Sequence, residues 1–162
     1  MLTTLAPTLY VQLSPERLTV RNPKTGAALS EPPEVAIEQV PKPRLVAVGA
    51  AARAAGTGSS VIEVHNPFAH PRSLVSDFTV AEQLLKAFVR RLQGHGWLTL
   101  APRVVMHPQG DPAGGYTQVE IRALHELAMG AGASQAVVWQ GRGLTDEELL
   151  SRRFPSDGQL LS

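Results

Sequence analysis

The stretch RVVMHPQGDPAGGYTQVEIRALHELAMGAGASQAVVWQ, residues 103–140, decides the fold. Arg103–His107 (RVVMH) is a short apolar run of the buried-strand type, and Ser134–Gln140 (SQAVVWQ) is another. Between them Thr117-Gln118-Val119-Glu120 forms a capping box: the threonine side chain accepts from the backbone and the glutamate reaches back to it. Ile121, Leu124 and Leu127 follow at helical spacing, and Gly130 marks the stop. A strand, a helix and a strand of these lengths predict a right-handed crossover between parallel strands. Beyond them Thr145-Asp146-Glu147-Glu148 opens a last helix, its acids at the positive end of the dipole.

Working back from this unit, a long helix is predicted from Thr79. Thr79-Val80-Ala81-Glu82 has the form of a capping box. Val80, Leu84, Leu85, Phe88, Val89 and Leu92 make its apolar stripe; Lys86, Arg90 and Arg91 load its last turns, and Gly94 ends it. The first third reads as β structure. Leu9–Leu13 and Leu18–Val20 flank the turn Ser14-Pro15-Glu16-Arg17, and Asn22–Gly26 is a second turn. Glu34–Val40 and Leu45–Val48 are further strands, bracketed by Pro32, Pro33, Pro41 and Pro43 because proline cannot donate within a ladder. Gly49–Ala55 is a short Ala-rich helix and Val61–Val64 a further strand, with Gly56–Ser60 as punctuation between them. The expected fold is α/β: an N-terminal β-meander followed by a βαβ crossover, giving a mixed sheet flanked by helices in one domain, residues 1–162.

Composition bounds the function. The chain has 162 residues and 17.3 kDa, room for one core. Fifteen Lys and Arg against fourteen Asp and Glu give a net charge of +1, which lacks the basic excess of a nucleic-acid binder. With no cysteine, disulfides, thiolate metal sites and cysteine nucleophiles are excluded. Aromatics are 5%, so the core must be aliphatic. Met1–Tyr10 makes a poor signal peptide, and no run approaches the ~18 apolar residues of a membrane-spanning helix. The expected location is cytoplasmic, with no integral membrane segment.

Chemistry-bearing residues have ordinary explanations beside the functional ones. The loop from His107 to Gly115 precedes a helix N-terminus, where anions bind, but it lacks the Gly-Lys-Ser/Thr ending of a phosphate loop and carries Asp111. His65, His70, His95, His107 and His125 form no metal-ligand spacing and read as solvated histidines, His125 and Glu126 as surface residues of their helix. Asp77 and Glu82 are candidate acid/base residues, but capping explains both and is the favoured reading, and no Gly-x-Ser-x-Gly elbow is present.

Several runs, in order, resemble segments of one protein family. Leu29–Ile37 (LSEPPEVAI) is similar to the family's LNEPSVVAI-type segment, and Val46-Ala47-Val48-Gly49 to its AVG stretch. Leu74–Val80 (LVSDFTV) resembles VIADF-x-V-T before a long helix, Thr117–Ala123 (TQVEIRA) resembles TQVERRA, and Gly130–Ala133 resembles QGAGA. Together they cover most of residues 9–140, and the family they resemble is the MreB family of bacterial actin-like rod shape-determining proteins. The resemblance implies one lobe of the actin-like ATPase (ribonuclease H-like) fold. It also exposes departures. Gln12, Leu13, Ser14 and Pro15 stand where the family carries its DLGT phosphate loop, without the acid for metal or the glycine for phosphate. Gln140–Leu144 (QGRGL) replaces EEPMAAA, and no DxGGG loop follows. Glu120 alone matches the family's water-orienting glutamate.

These departures imply a non-catalytic module, at most a vestigial ATPase, with no cofactor. It would act through protein partners, MreB-type filaments or cell-elongation components, in the cytoplasm or peripherally at the membrane. The alternative is an ATP- and Mg-binding filament former. A third reading is a small-ligand or anion-binding domain using the Gly110–Gly115 loop.

Overall fold

A computed structural model describes residues 6–94 and 99–162. His95 and the Leu2 and Leu5 start lie outside the described residues. In chain order the elements are β1 (Thr8–Leu13), β2 (Leu18–Arg21), β3 (Ala28–Glu31), β4 (Val35–Glu38), β5 (Arg44–Val48), α1 (Ala51–Gly56), β6 (Ile62–His65), α2 (Phe78–Gln93), β7 (Arg103–Pro108), α3 (Gln118–Gly130), β8 (Gln135–Gln140), α4 (Asp146–Ser151) and β9 (Gln159–Leu160).

The apolar run in β7 does what such runs do in parallel sheets: all six of its residues are buried. It lies between β1 and β8, parallel to both, with Leu9 opposite Val104 and Met106 opposite Val138. The main sheet is mixed, in the order β3-β2-β1-β7-β8-β9. Side-chain alternation divides its apolar residues between two faces. Leu9, Val11, Leu13, Val104, Met106 and Val138 join Leu84, Phe88, Leu124 and Leu127 of α2 and α3 in one core. Tyr10, Val105 and Trp139 meet Leu144 and Leu149 of the α4 region in a smaller one. Each large aliphatic so buried contributes about 1.5–3 kcal/mol.

The helix signals hold with one correction. The capping box at Thr117 is present, with Thr117 Oγ1 accepting from Glu120 N–H at 3.2 Å and Glu120 Oε2 accepting from Thr117 N–H at 2.9 Å. The box at Thr145 and Glu148 is present likewise. The one expected at Thr79 is not. Asp77 is the N-cap of α2, its carboxylate accepting from Val80 N–H at 3.1 Å, and Thr79 lies exposed inside the first turn. Both residue types cap well; the extended backbone at Asp77 puts its carboxylate first.

The meander is shared between two sheets. β1, β2 and β3 form it in the main sheet, whereas β4 pairs antiparallel with β5 and β6 in a separate three-stranded sheet, order β5-β4-β6. Pro32 and Pro33 force the break after β3, since neither can donate to a further ladder. α1 packs on the small sheet, while Val35, Ile37, Leu45 and Val48 reach the main core. Glu31 joins the two parts: Oε1 accepts from Ala50 N–H at 3.1 Å and Oε2 pairs with Arg91 at 2.7 Å. No helix among the described residues is long and apolar enough to cross a membrane.

Candidate functional site

The ends of the parallel strands β1 and β7 meet at one place, where the resemblance puts a phosphate loop. Gln12 and Leu13 are ordinary strand residues there, paired with Thr19 and Leu18 on one side and His107 and Pro108 on the other. Leu13 is buried and its carbonyl accepts from Gln109 N–H at 2.7 Å. The turn beyond is closed by its own groups. Ser14 N–H donates to the Arg17 carbonyl at 2.9 Å. Ser14 Oγ accepts from Glu16 N–H at 3.2 Å and Arg17 N–H at 3.1 Å. Pro15 has no N–H, and its carbonyl accepts from Asn66 Nδ2 at 2.7 Å. A phosphate-binding turn needs backbone donors aimed outward. Here every backbone N–H from Ser14 to Arg17 has an internal acceptor.

Glu120 and Pro15 line one cleft of about 460 Å³, together with Phe68, His70, Asp111 and Tyr116. The topology therefore brings the sequence-predicted Glu120 to the site of Gln12–Pro15. Its carboxylate closes the capping box, the local role foreseen for it. The Gly110–Gly115 loop at the same cleft carries two bonds of its own. Gly115 N–H donates to the Pro112 carbonyl at 2.8 Å and Tyr116 Oη donates to the Gly110 carbonyl at 3.2 Å. Burial, then the carboxylates of Glu120 and Asp111, push the Tyr116 hydroxyl above its ordinary pKa, so it stays a protonated donor. Among the described residues no group of three or more His, Asp or Glu gathers to hold a metal. His70 is exposed in a loop, His65 is exposed as the last residue of β6, and His125 is half-buried on α3.

His107 is the residue that sequence reasoning missed. Read as a solvated loop histidine, it is a strand residue only 3% exposed. Its Nε2 donates to the Gly141 carbonyl at 2.9 Å, and its Nδ1 accepts from Tyr10 Oη at 2.5 Å. Tyr10 Oη in turn accepts from Leu144 N–H at 3.2 Å. The rings of Tyr10 and His107 stack at 5.8 Å. Burial lowers the His107 pKa, the Gly141 contact opposing it, and burial raises that of Tyr10. The only sequence signal was the position of His107 at the end of an otherwise apolar strand; its partners lie 97 and 34 residues away.

Gly141, Arg142 and Gly143 make the turn held by this network. Trp139 Nε1 donates to the Arg142 carbonyl at 2.9 Å, and Arg142 pairs with both Glu148 at 2.5 Å and Asp157 at 3.1 Å. A side chain at Gly158 would collide with the Trp139 ring, so glycine is required where the tail crosses it.

The family description "MreB/Mbl protein" matches residues 8–142. The cell shape-determining protein MreB of Pasteurella multocida is 34% identical over 114 residues, 68% of this chain and 31% of that protein. Its counterpart in Haemophilus influenzae is 30% identical over 132 residues, 78% of this chain and 36% of that protein. The chain thus spans about a third of the length of these curated relatives. Among solved structures, MreB5 of Spiroplasma citri bound to ADP has a TM-score of 0.65 at 21% identity, covering 83% of this chain and 38% of that one. A non-polymerising mutant of MamK bound to AMPPNP has a TM-score of 0.65 at 17% identity, covering 82% and 40%. These two likenesses are of fold.

Proposed function

The chain belongs to the MreB/Mbl family, and from that premise we propose that it is a non-catalytic actin-like module acting through protein contacts in bacterial cell-shape or envelope organisation. The partners proposed are MreB-type filaments or cell-elongation components, met in the cytoplasm or at the membrane periphery. The observation that carries this reading is the closed turn at Ser14–Arg17. Nucleotide phosphates need outward backbone N–H groups and a metal-holding acid, and Gln12, Leu13, Ser14 and Pro15 supply neither. The residues present do not fit Mg·ATP. Glu120 has a sufficient reason to be glutamate in its bond to Thr117 N–H.

Calorimetric titration of the full chain with Mg·ATP is the test, and no saturable binding below millimolar nucleotide is expected. Micromolar binding, or ATP turnover abolished by Glu120→Gln, overturns the reading. One observation favours the alternative of an ATP-binding filament former: Glu120 shares a cleft with the Pro15 turn. That alternative requires nucleotide-dependent sedimentation, which the non-catalytic module does not show.

A further inference from the structure

The hydrogen bonds around His107 leave one protonation state that satisfies every partner. A backbone carbonyl only accepts, so Nε2 must carry a hydrogen to bond Gly141. In a neutral imidazole Nδ1 is then bare, and it takes the Tyr10 O–H at 2.5 Å. The Tyr10 oxygen is left to accept from Leu144 N–H. One neutral ring thereby joins β1, β7, the end of β8 and the residue before the cap of α4. A second ring proton would enter the narrow gap to Tyr10, already filled by the phenol hydrogen. Tyr10 would have to turn its O–H away, and its oxygen would then have to accept from both His107 and Leu144.

We propose that His107 is the proton-sensitive pin of a latch that holds the 141–150 segment on the sheet, so that mild acid releases α4 and uncovers the Tyr10–Trp139 face. The surroundings offer an imidazolium no compensation: among the described residues, no carboxylate bonds to His107. From β2, Arg21 sits over the Tyr10 ring at 5.7 Å and pairs with Asp146. From β1, Gln12 is the other polar side chain at the Tyr10 oxygen. From α4, Glu148 faces Tyr10 but is engaged by Arg142, which also holds Asp157 of the tail. Asp111, on the loop after β7, lines with Gly141 and Asp157 a cleft of about 580 Å³ that brings water to the outer side of the latch. The lowered pKa of the buried ring agrees with this geometry. Residues 143–150 of the latched segment lie beyond the stretch matched by the family.

The sign follows from linkage. A histidine held neutral by the fold contributes stability that is complete above its ordinary value of 6.5 and falls as pH drops below it. Hydrogen exchange by mass spectrometry on the full chain, corrected for intrinsic rates, reads the latch. Between about pH 7.5 and pH 5, protection of residues 141–150 should fall about tenfold relative to α2 and α3. In His107→Gln, whose amide donates to a carbonyl and does not titrate, the fall should vanish. An equal loss in α2 and α3, no selective loss, or the same selective loss in His107→Gln overturns the proposal. Should that variant not fold, NMR of the wild-type chain decides. The Nε2–H tautomer at neutral pH, titrating below 6.5 in step with the Leu144 amide, is expected. The Nδ1–H tautomer, or a Leu144 amide indifferent to that titration, overturns it.

Discussion

Arg142 holds two acids from different parts of the chain, Glu148 in α4 and Asp157 in the tail. The same Glu148 closes its helix's capping box by accepting from Thr145 N–H at 2.8 Å. Arg142 first, and the Thr145 backbone second, hold the Glu148 carboxyl down at about 2, against an ordinary 4.5. A depressed carboxyl contributes stability above its unfolded value and loses it as pH falls through the folded one. Urea midpoints should therefore decline between pH 4.5 and pH 2 beyond the loss shown by Glu148→Gln, which removes the titrating group. Parallel declines in both proteins would sever Glu148 from acid sensitivity. Because Arg142 is exposed and Glu148 half-buried, salt should shrink the difference only in part. This pairing was illegible beforehand: Arg142 and Asp157 are 15 residues apart with the whole of α4 between them. The acids of Thr145–Glu148 were readable as a helix start because capping is local.

At the scale of elements, the same division between local and distant causes decides what could be read. α3 was legible from its cap and apolar stripe, which lie close together in the chain; Gly130, expected as the stop, is its last helical residue and Ala131 the C-cap. The β7–α3–β8 unit was legible because strand, helix and strand lengths restrict how they connect. β3 was not: Ala-Leu-Ser-Glu has no β-branched residue, and only pairing with β2 makes it a strand. Nor was the second sheet, because antiparallel strands read alike whichever sheet receives them. At α2 two caps two residues apart competed, and the wrong one was favoured by Glu82 at capping-box spacing. Glu82 instead lies against Gly130 of α3, where a side chain would collide with it. The assignment has a measurable consequence. Asp77→Ala should cost about 1 kcal/mol of unfolding free energy, while exposed Thr79→Ala should stay within about 0.5 kcal/mol of the parent. Denaturant midpoints separate them, and the reverse order would restore Thr79 as the cap.

The whole molecule divides unevenly about its sheet. One face is sealed by α2 and α3 over a continuous core from Leu9 and Val20 to Val138, with Val35 and Phe68 reaching it from the chain between the helices' start and β3. All of those residues fall within the family-matched stretch. The other face has a six-residue helix, and its cluster depends on Leu144, Leu149 and Phe154, which lie beyond that stretch. A helix that short has little stability of its own and is held by packing and its cap. Such asymmetry makes local opening on the α4 side cheaper than opening the main core. Truncation should expose the difference. Phe88→Ala leaves a cavity in the large core, should cost about 3–5 kcal/mol, and should lower hydrogen-exchange protection of every core element together. Leu149→Ala, although its side chain is fully buried, should speed exchange in α4 and β9 and leave α2 and α3 nearly unchanged at neutral pH. Equal loosening of both helices by Leu149→Ala would mean that the two clusters open as one, and that the lobe cannot release its α4 face without unfolding.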